Sequence, residues 1–372
     1  MTSHSPRVAI VHDALVNSGG AERVVTFLCE AFPEAPLYTS VYLPDRTFPE
    51  FRSRVVRTLP GAGSAHTEAA AKRLLPMWLW GFAHLDLRNY DVVLSSTTFA
   101  AKHIRPPAGV RHVSYCYAPF RLLWKPEAYE PSSLPIGALG RRALEVLRPA
   151  LRRWDRSAMS RVVDIATTCR NMADAIDAAY QRQARVIPAP VRLNDYRVGS
   201  GPGDYYLSVS RLISHKRVDL AVRACRQLGK RLIVVGAGPE LARLQELGGD
   251  DVTFAGLVDK QALADLYAGC RALLFSSEED YGLTPIEAQA SGRPVIAYGA
   301  GGALETVIDG QSGIFFGEQT TECLIEAIHR FERLTFDPVR VRASVERFDV
   351  EPFIREIRQF VLASPVAAER SV

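Results

Sequence analysis

Short apolar runs alternate along this chain with longer stretches whose apolar residues recur at helical spacing. The runs lie at residues 8–12, 92–95, 113–116, 206–209, 232–235, 252–254, 272–275 and 295–297, and helical patterns at 218–228 and 263–268 fill two of the gaps. Alternating β and α segments of this kind predict parallel sheets with helices on both faces. There are two such series. Between them the segment VIPAPVRLN, residues 186–194, carries two prolines and reads as a stiff connection. The expected architecture is two doubly wound, Rossmann-like α/β domains, residues 1–190 and 191–350. They are expected to face each other across a cleft at the carboxyl ends of their strands, where open α/β sheets bind ligands. Residues 351–362 predict a final amphipathic helix, and after Ser364 the chain is expected to be loose.

A chain of 372 residues is long enough for two such cores. Its six cysteines stand singly without C-x-x-C spacing, which argues against a disulfide framework or structural zinc and for a reducing cytoplasm. The N-terminal MTSHSPRVAIVHD enters a strand directly, without the charged start and apolar core of a signal peptide. No apolar run approaches the roughly 20 residues that cross a bilayer, so a soluble or peripheral protein is expected. The net charge of +4 is unevenly spread: residues 1–190 hold 24 Lys and Arg against 16 Asp and Glu, the remainder 21 against 25. That asymmetry points to an anionic surface or acidic ligand on the N-terminal side. Nucleic acid is not indicated, because no basic run is interleaved with stacking aromatics.

Residues 275–313 carry the densest chemistry, FSSEEDYGLTPIEAQASGRPVIAYGAGGALETVIDGQSG. An apolar run ends at Phe275, an acidic loop follows, and a helix start reads at Thr284-Pro285 before a strand and a glycine-rich turn. Glu279 and Glu287 have seven residues between them, a separation that neither strand alternation nor one helix face explains. A strand–loop–helix does, with one carboxylate on the loop and the other on the first helical turn. Between them Gly282, Leu283 and Thr284 bring backbone N–H groups to a helix start, which suits an anion. Carboxylates for sugar hydroxyls and amides for phosphate are what a nucleotide-sugar site needs. Plainer readings exist. Thr284-Pro285-Ile286-Glu287 fits a capping box with Thr284 as N-cap, and Glu279 fits a solvated loop charge.

Arg211 and Lys216 follow the run at 206–209 and precede a helix beginning near Val218. A surface loop explains two cations equally well, yet fixed cations there suit a diphosphate leaving group, whose charge grows as a glycosidic bond breaks. Arg217 beside them is left out of the site. Gly236 and Gly238 end the strand RLIVVG and read as a tight turn or a nucleotide contact. Gly19 and Gly20 open a helix without the full dinucleotide fingerprint, and a loop with positive dihedral angles is their plainer reading. Asp13 reads as a turn residue at a strand end or as a contact to acceptor hydroxyls.

The 275–313 stretch resembles the carboxylate pair of the retaining glycosyltransferases of family 4, which have the GT-B fold. The likeness continues through Gly-Arg-Pro-Val at 292–295 and Gly-Ala-Gly-Gly at 299–302. It is closest to the bacterial mannosyltransferases of cell-surface polysaccharides, strongest from about Ser208 to Gly313 and weaker before Gly109. The resemblance implies that Glu279 contacts the transferred sugar, Glu287 the ribose, and Arg211 and Lys216 the diphosphate, with no metal and no cofactor. It implies that Gly236, Gly238 and the 254–258 segment, Leu257 included, surround the base, and that Tyr281, Gly282, Leu283 and Thr284 lie at the donor. Gly19 and Gly20 would let backbone approach the donor phosphate or the acceptor, and the final helix would cross back onto the first domain. The implied donor is GDP-mannose and the implied acceptor a growing glycan on a polyprenyl diphosphate, met at the inner face of the cell membrane.

At residues 114–121, SYCYAPFR, the chain departs from those relatives, which read Cys-His-Thr-Pro with the His facing the transferred sugar. Tyr117 stands at that position and Ala118 replaces the Thr, so the donor sugar and the level of activity are both at stake. Arg121 reads as a solvated charge or a phosphate contact. The rival functions are a UDP-sugar-dependent transferase, a nucleotide-sugar epimerase, and a non-catalytic homologue that binds a sugar nucleotide. Two further stretches are basic and aromatic: residues 72–87, with Trp78, Trp80 and Phe82, and residues 141–161, with seven arginines against Glu145 and Asp155. They read as solvated helices, or as a surface lying on anionic lipid.

Overall fold

A computed structural model of the chain describes residues 6–64, 67, 74–126 and 138–363. The tail after Ser364 and the pair Lys72-Arg73 lie outside the described residues. Two compact units emerge, one comprising Met1–Pro188 with Phe353–Val372, the other Ala189–Pro352. In the first, seven parallel strands are β1 (Val8–His12), β2 (Leu37–Thr39), β3 (Val56–Thr58), β4 (Val92–Thr97), β5 (Arg111–Cys116), β6 (Asp164–Thr167) and β7 (Arg185–Val186). Their order across the sheet is β3-β2-β1-β4-β5-β6-β7. In the second, β8 (Tyr206–Val209), β9 (Leu232–Val235), β10 (Val252–Gly256), β11 (Ala272–Phe275), β12 (Val295–Tyr298) and β13 (Gly313–Phe316) lie in the order β10-β9-β8-β11-β12-β13, again all parallel. Both units are Rossmann-like, as the alternation of apolar runs predicts.

All eight predicted runs are strands. Five further strands were not predicted, and the residues of three of them show why. β2 has 3 residues and β7 has 2. β3 is an edge strand with exposed positions, so it carries no buried pattern.

The order of each sheet reverses at one place. β1 lies between β2 and β4, and β8 between β9 and β11. Connections from such neighbours leave in opposite directions, opening a crevice at the strands' carboxyl ends. Packing fixes the frame around it. The helix Val218–Leu228 buries Val218, Leu220, Ala221, Val222, Ala224 and Cys225 in a core with Tyr206, Val234 and Leu274, and ends at Gly229 with a left-handed φ of 58°. The helix Val350–Leu362 belongs to the first unit from Phe353 onward. There the Phe353 ring edges onto Tyr115 at 6.0 Å, Arg358 donates to the Ala31 carbonyl at 2.9 Å, and Arg111 donates to the Val361 carbonyl at 2.8 Å.

Candidate donor site at the second switch point

The loops after β8 and β11 leave adjacent strands where the second sheet reverses. After β8 the chain passes Arg211 and enters a 3-10 turn, Ser214–Lys216. Arg217 follows with a left-handed φ of 50°, a conformation that costs a residue with a side chain about 1 kcal/mol. Its guanidinium donates to Asp219 at 3.3 Å and to the Gln319 carbonyl at 3.2 Å, and the Gln319 amide donates to the Ser276 carbonyl at 2.7 Å. The β8 loop is thereby tied to the β11 loop. Beside this tie Lys216 forms an ion pair with Glu279, whose same oxygen accepts from Ser277 Oγ at 3.1 Å. Both side chains of the pair are largely buried. Arg211 is exposed, with no ion pair among the described residues.

Glycines let these loops touch. Gly236 has a φ of 136°, and a Cβ there would lie 1.8 Å from the Ser210 carbonyl oxygen. A Cβ at Gly238 would lie 2.2 Å from the Leu212 carbonyl oxygen, and Leu212 donates back to the Ala237 carbonyl at 2.9 Å. Close approach of the β9 turn to the backbone carrying Arg211 therefore accounts for both glycines. On the other side a Cβ at Gly301 would lie 2.2 Å from the Glu279 carbonyl oxygen, which accepts from Gly302 N at 2.9 Å. The Gly-Ala-Gly-Gly turn is the seat of the Glu279 loop.

The helix after the acidic loop begins earlier than the capping-box reading has it. It spans Leu283–Ala290, with Gly282 as N-cap at φ 84° and no side-chain cap. Thr284 is the second helical residue, so Glu287 lies too far along the helix to reach back to an N-cap. Instead Glu287 is buried and accepts from Tyr267 Oη at 2.8 Å. Burial, and then the Glu287 charge, push the Tyr267 hydroxyl well above its ordinary value. Among the described residues the amides of Gly282, Leu283 and Thr284 donate to no carbonyl outside the helix, leaving them directed at the helix N-terminus. Tyr281, expected at the donor, turns its side chain away. Its hydroxyl donates to the Ala189 carbonyl at 2.9 Å and its ring edges onto Phe348. Leu257, just past β10, is 81% exposed.

In the first unit, two expectations are corrected. The Asp13 carboxylate is buried and accepts from Thr97 Oγ1, Thr98 N, Thr98 Oγ1, Phe99 N, Ala100 N and Ala101 N at 2.6–3.1 Å. A carboxylate has about four acceptor sites, so none is left for an acceptor hydroxyl. Asp13 holds the loop after β4. Tyr117 is likewise committed. Its hydroxyl donates to the Ala21 carbonyl at 3.1 Å and lies 2.8 Å from Ser96 Oγ, which lies 3.1 Å from His12 Nδ1. With the phenol proton on Ala21, Ser96 must donate to Tyr117, and His12 Nδ1 must donate to Ser96. The 3.0 Å contact of Nδ1 to the Ser96 carbonyl, an acceptor only, requires the same polarity. Burial lowers the His12 imidazole and raises the Tyr117 hydroxyl, so both stay neutral in this relay.

Gly19 and Gly20 open the helix Gly20–Ala31, but Gly19 is extended and neither glycine has a positive φ. A Cβ at Gly19 would meet only the side-chain ends of Glu22 and Asn17, 2.6 and 2.8 Å away, which can swing aside, so space does not explain Gly19 either. Arg121 is exposed at the head of a short helix, Arg121–Trp124. Sequence reasoning missed Ser277, Tyr267 and Gln319. Ser277 was within sight two residues before Glu279, whereas the other two approach through the fold alone.

Residues 200–344 match the family described as Glycosyl transferases group 1. A GDP-mannose-dependent alpha-(1-6)-phosphatidylinositol monomannoside mannosyltransferase of Mycolicibacterium smegmatis is 32% identical over 165 residues, which are 40% of this chain and 42% of that one. The chain thus spans about two fifths of the length of that curated relative. Among solved structures, sucrose-phosphate synthase from Thermosynechococcus elongatus superposes with a TM-score of 0.74 at 19% identity, covering 95% of this chain and 98% of its own. Anabaena HepE in complex with UDP-glucose gives 0.70 at 18% identity, with the same two coverages. The switch-point site lies inside the matched segment. Residues 200–344 thus match the group 1 glycosyltransferase family, and the two Rossmann-like units share the fold of these solved structures.

Proposed function

We propose that the chain is a retaining hexosyltransferase that moves mannose from GDP-mannose to a glycan, carried on a polyprenyl diphosphate, without a metal. The observation that carries this reading is the Lys216–Glu279 pair, which sets a cation and a sugar-binding carboxylate side by side beside free helix-start amides. The glycosidic bond of the donor breaks first, giving an oxocarbenium-like sugar. The acceptor oxygen then bonds to the anomeric carbon from the face the diphosphate is leaving, and the acceptor proton passes to a β-phosphate oxygen. Lys216, Arg211 and the amides of Gly282, Leu283 and Thr284 stabilise the charge gathering on the diphosphate. Glu279 holds sugar hydroxyls, and Glu287, oriented by Tyr267, holds the ribose. Gly236, Gly238 and Leu257 border the base, while acceptor recognition is assigned to the first unit, near Gly19, Gly20 and Arg121.

The mannosyl assignment draws on the GDP-mannose-dependent relative. A UDP-sugar donor is the second reading, favoured by the UDP-glucose complex of HepE. Proton NMR of the product tests the stereochemistry. A new linkage with the donor's anomeric configuration is expected, and an inverted linkage would rule out the front-face course.

A further inference from the structure

One face of the first unit has no part in the proposed transfer. The helix Ala138–Met159 turns Asp155 inward, where Lys102 pairs with it at 2.8 Å and Tyr180 and Trp124 each donate to it at 2.8 Å. Its outer side is unlike that of an ordinary surface helix. Val146, Leu147, Ala150 and Trp154 fall within about 100° of arc at 3.6 residues per turn. Val146 is 76% exposed, Leu147 54% and Trp154 39%. The exposed Arg142 and Arg153 border its Val146 edge.

The stripe runs into a cavity of about 250 Å³, lined in part by Trp80, His84, His103, Arg105, Trp154 and Arg161. Trp80, 62% exposed, stacks on His84 at 4.4 Å, and Trp154 stacks on His103 at 3.8 Å. Arg161 donates to the Ser157 carbonyl at 2.8 Å, and neither it nor Arg105 has a carboxylate partner among the described residues. Desolvation, and then the charge of Arg105, lower the Arg161 guanidinium from its ordinary value. Two like charges thus meet at the rim of an aromatic hollow, beside an apolar stripe open to solvent.

A free phosphate or nucleotide would use the arginines and leave the stripe bare. A second copy would cover the stripe but bring another positive surface, since residues 1–190 carry 24 basic against 16 acidic side chains. An anionic bilayer satisfies both features, with apolar side chains at the acyl boundary, indoles at headgroup depth and guanidiniums on lipid phosphates. We propose that this face docks the first unit on an anionic lipid surface, with Arg105 and Arg161 taking lipid phosphate and Trp80, Trp154, Val146 and Leu147 entering the interface. The inference rests on this surface alone and holds whichever sugar is transferred.

The test is flotation of the full chain with vesicles of phosphatidylcholine alone, or of phosphatidylcholine mixed with phosphatidylglycerol. Partitioning is expected with the anionic vesicles only, falling as salt is added. Arg105→Ala/Arg161→Ala is expected to weaken it about fivefold per arginine removed, and Val146→Ser/Leu147→Ser to weaken it through the apolar half. Neither pair touches the donor site, so the sugar-nucleotide Kd should not change. Absent partitioning, or full partitioning by both variants, overturns the proposal. So does a dimer in solution that Val146→Ser/Leu147→Ser dissociates, which would assign the face to a second copy.

Discussion

Lys216 and Glu279 form an ion pair across 63 residues of sequence because their loops leave neighbouring strands, β8 and β11, where the second sheet reverses. If this pair acts on the leaving diphosphate and the sugar, each half should matter for turnover more than for folding. Lys216→Ala and Glu279→Ala are each expected to lower kcat by about 10²- to 10³-fold, the usual effect of removing one group that stabilises developing charge. Because the two side chains touch, their combined loss should fall short of the product of the single losses. Steady-state kinetics of the cycle, with circular dichroism to check folding, measures this.

The resemblance sets Tyr117 where a histidine is expected to face the sugar, yet its hydroxyl serves Ala21 and Ser96. Tyr117→Phe should therefore cost stability, about 1–2 kcal/mol in urea unfolding for a part-buried hydrogen bond lost. The ranking of sugar donors should not change. A switch of donor preference in Tyr117→Phe would show that the phenol reads the sugar after all.

Much of the fold is legible in the sequence because buried parallel strands read as unbroken apolar runs. β9, β11 and β12 are of that kind, whereas β7, with 2 residues, offers nothing to count. The site is less legible, because its bonds run between distant segments. Nothing near Asp13 announces the six donors gathered from residues 97–101. Glu287 meets Tyr267 across the core, 20 residues away. The capping box misleads for a local reason: Gly282 takes a positive φ that leaves it, not Thr284, at the N-cap.

His112 supplies a pH dependence. Burial, and then the charge of Arg161, push its imidazole down to about 3, while in the unfolded chain it binds a proton near pH 6.5. Its contribution to stability is therefore complete above about 6.5 and declines as pH falls toward about 3. At pH 5 the loss should be about 2 kcal/mol. Urea titrations at a series of pH values should show a shallower slope for His112→Gln. Part of the slope should survive, because burial lowers His12 and His103 as well.

The most direct measurement is turnover of purified protein with GDP-mannose, UDP-glucose and UDP-GlcNAc in turn, each repeated with Lys216→Ala and Glu279→Ala. The highest kcat/KM is expected with GDP-mannose, and both variants should lose it. Turnover confined to UDP-sugars would replace the donor and keep the site. Wild-type rates in both variants would contradict the placing of the chemistry at the junction of β8 and β11.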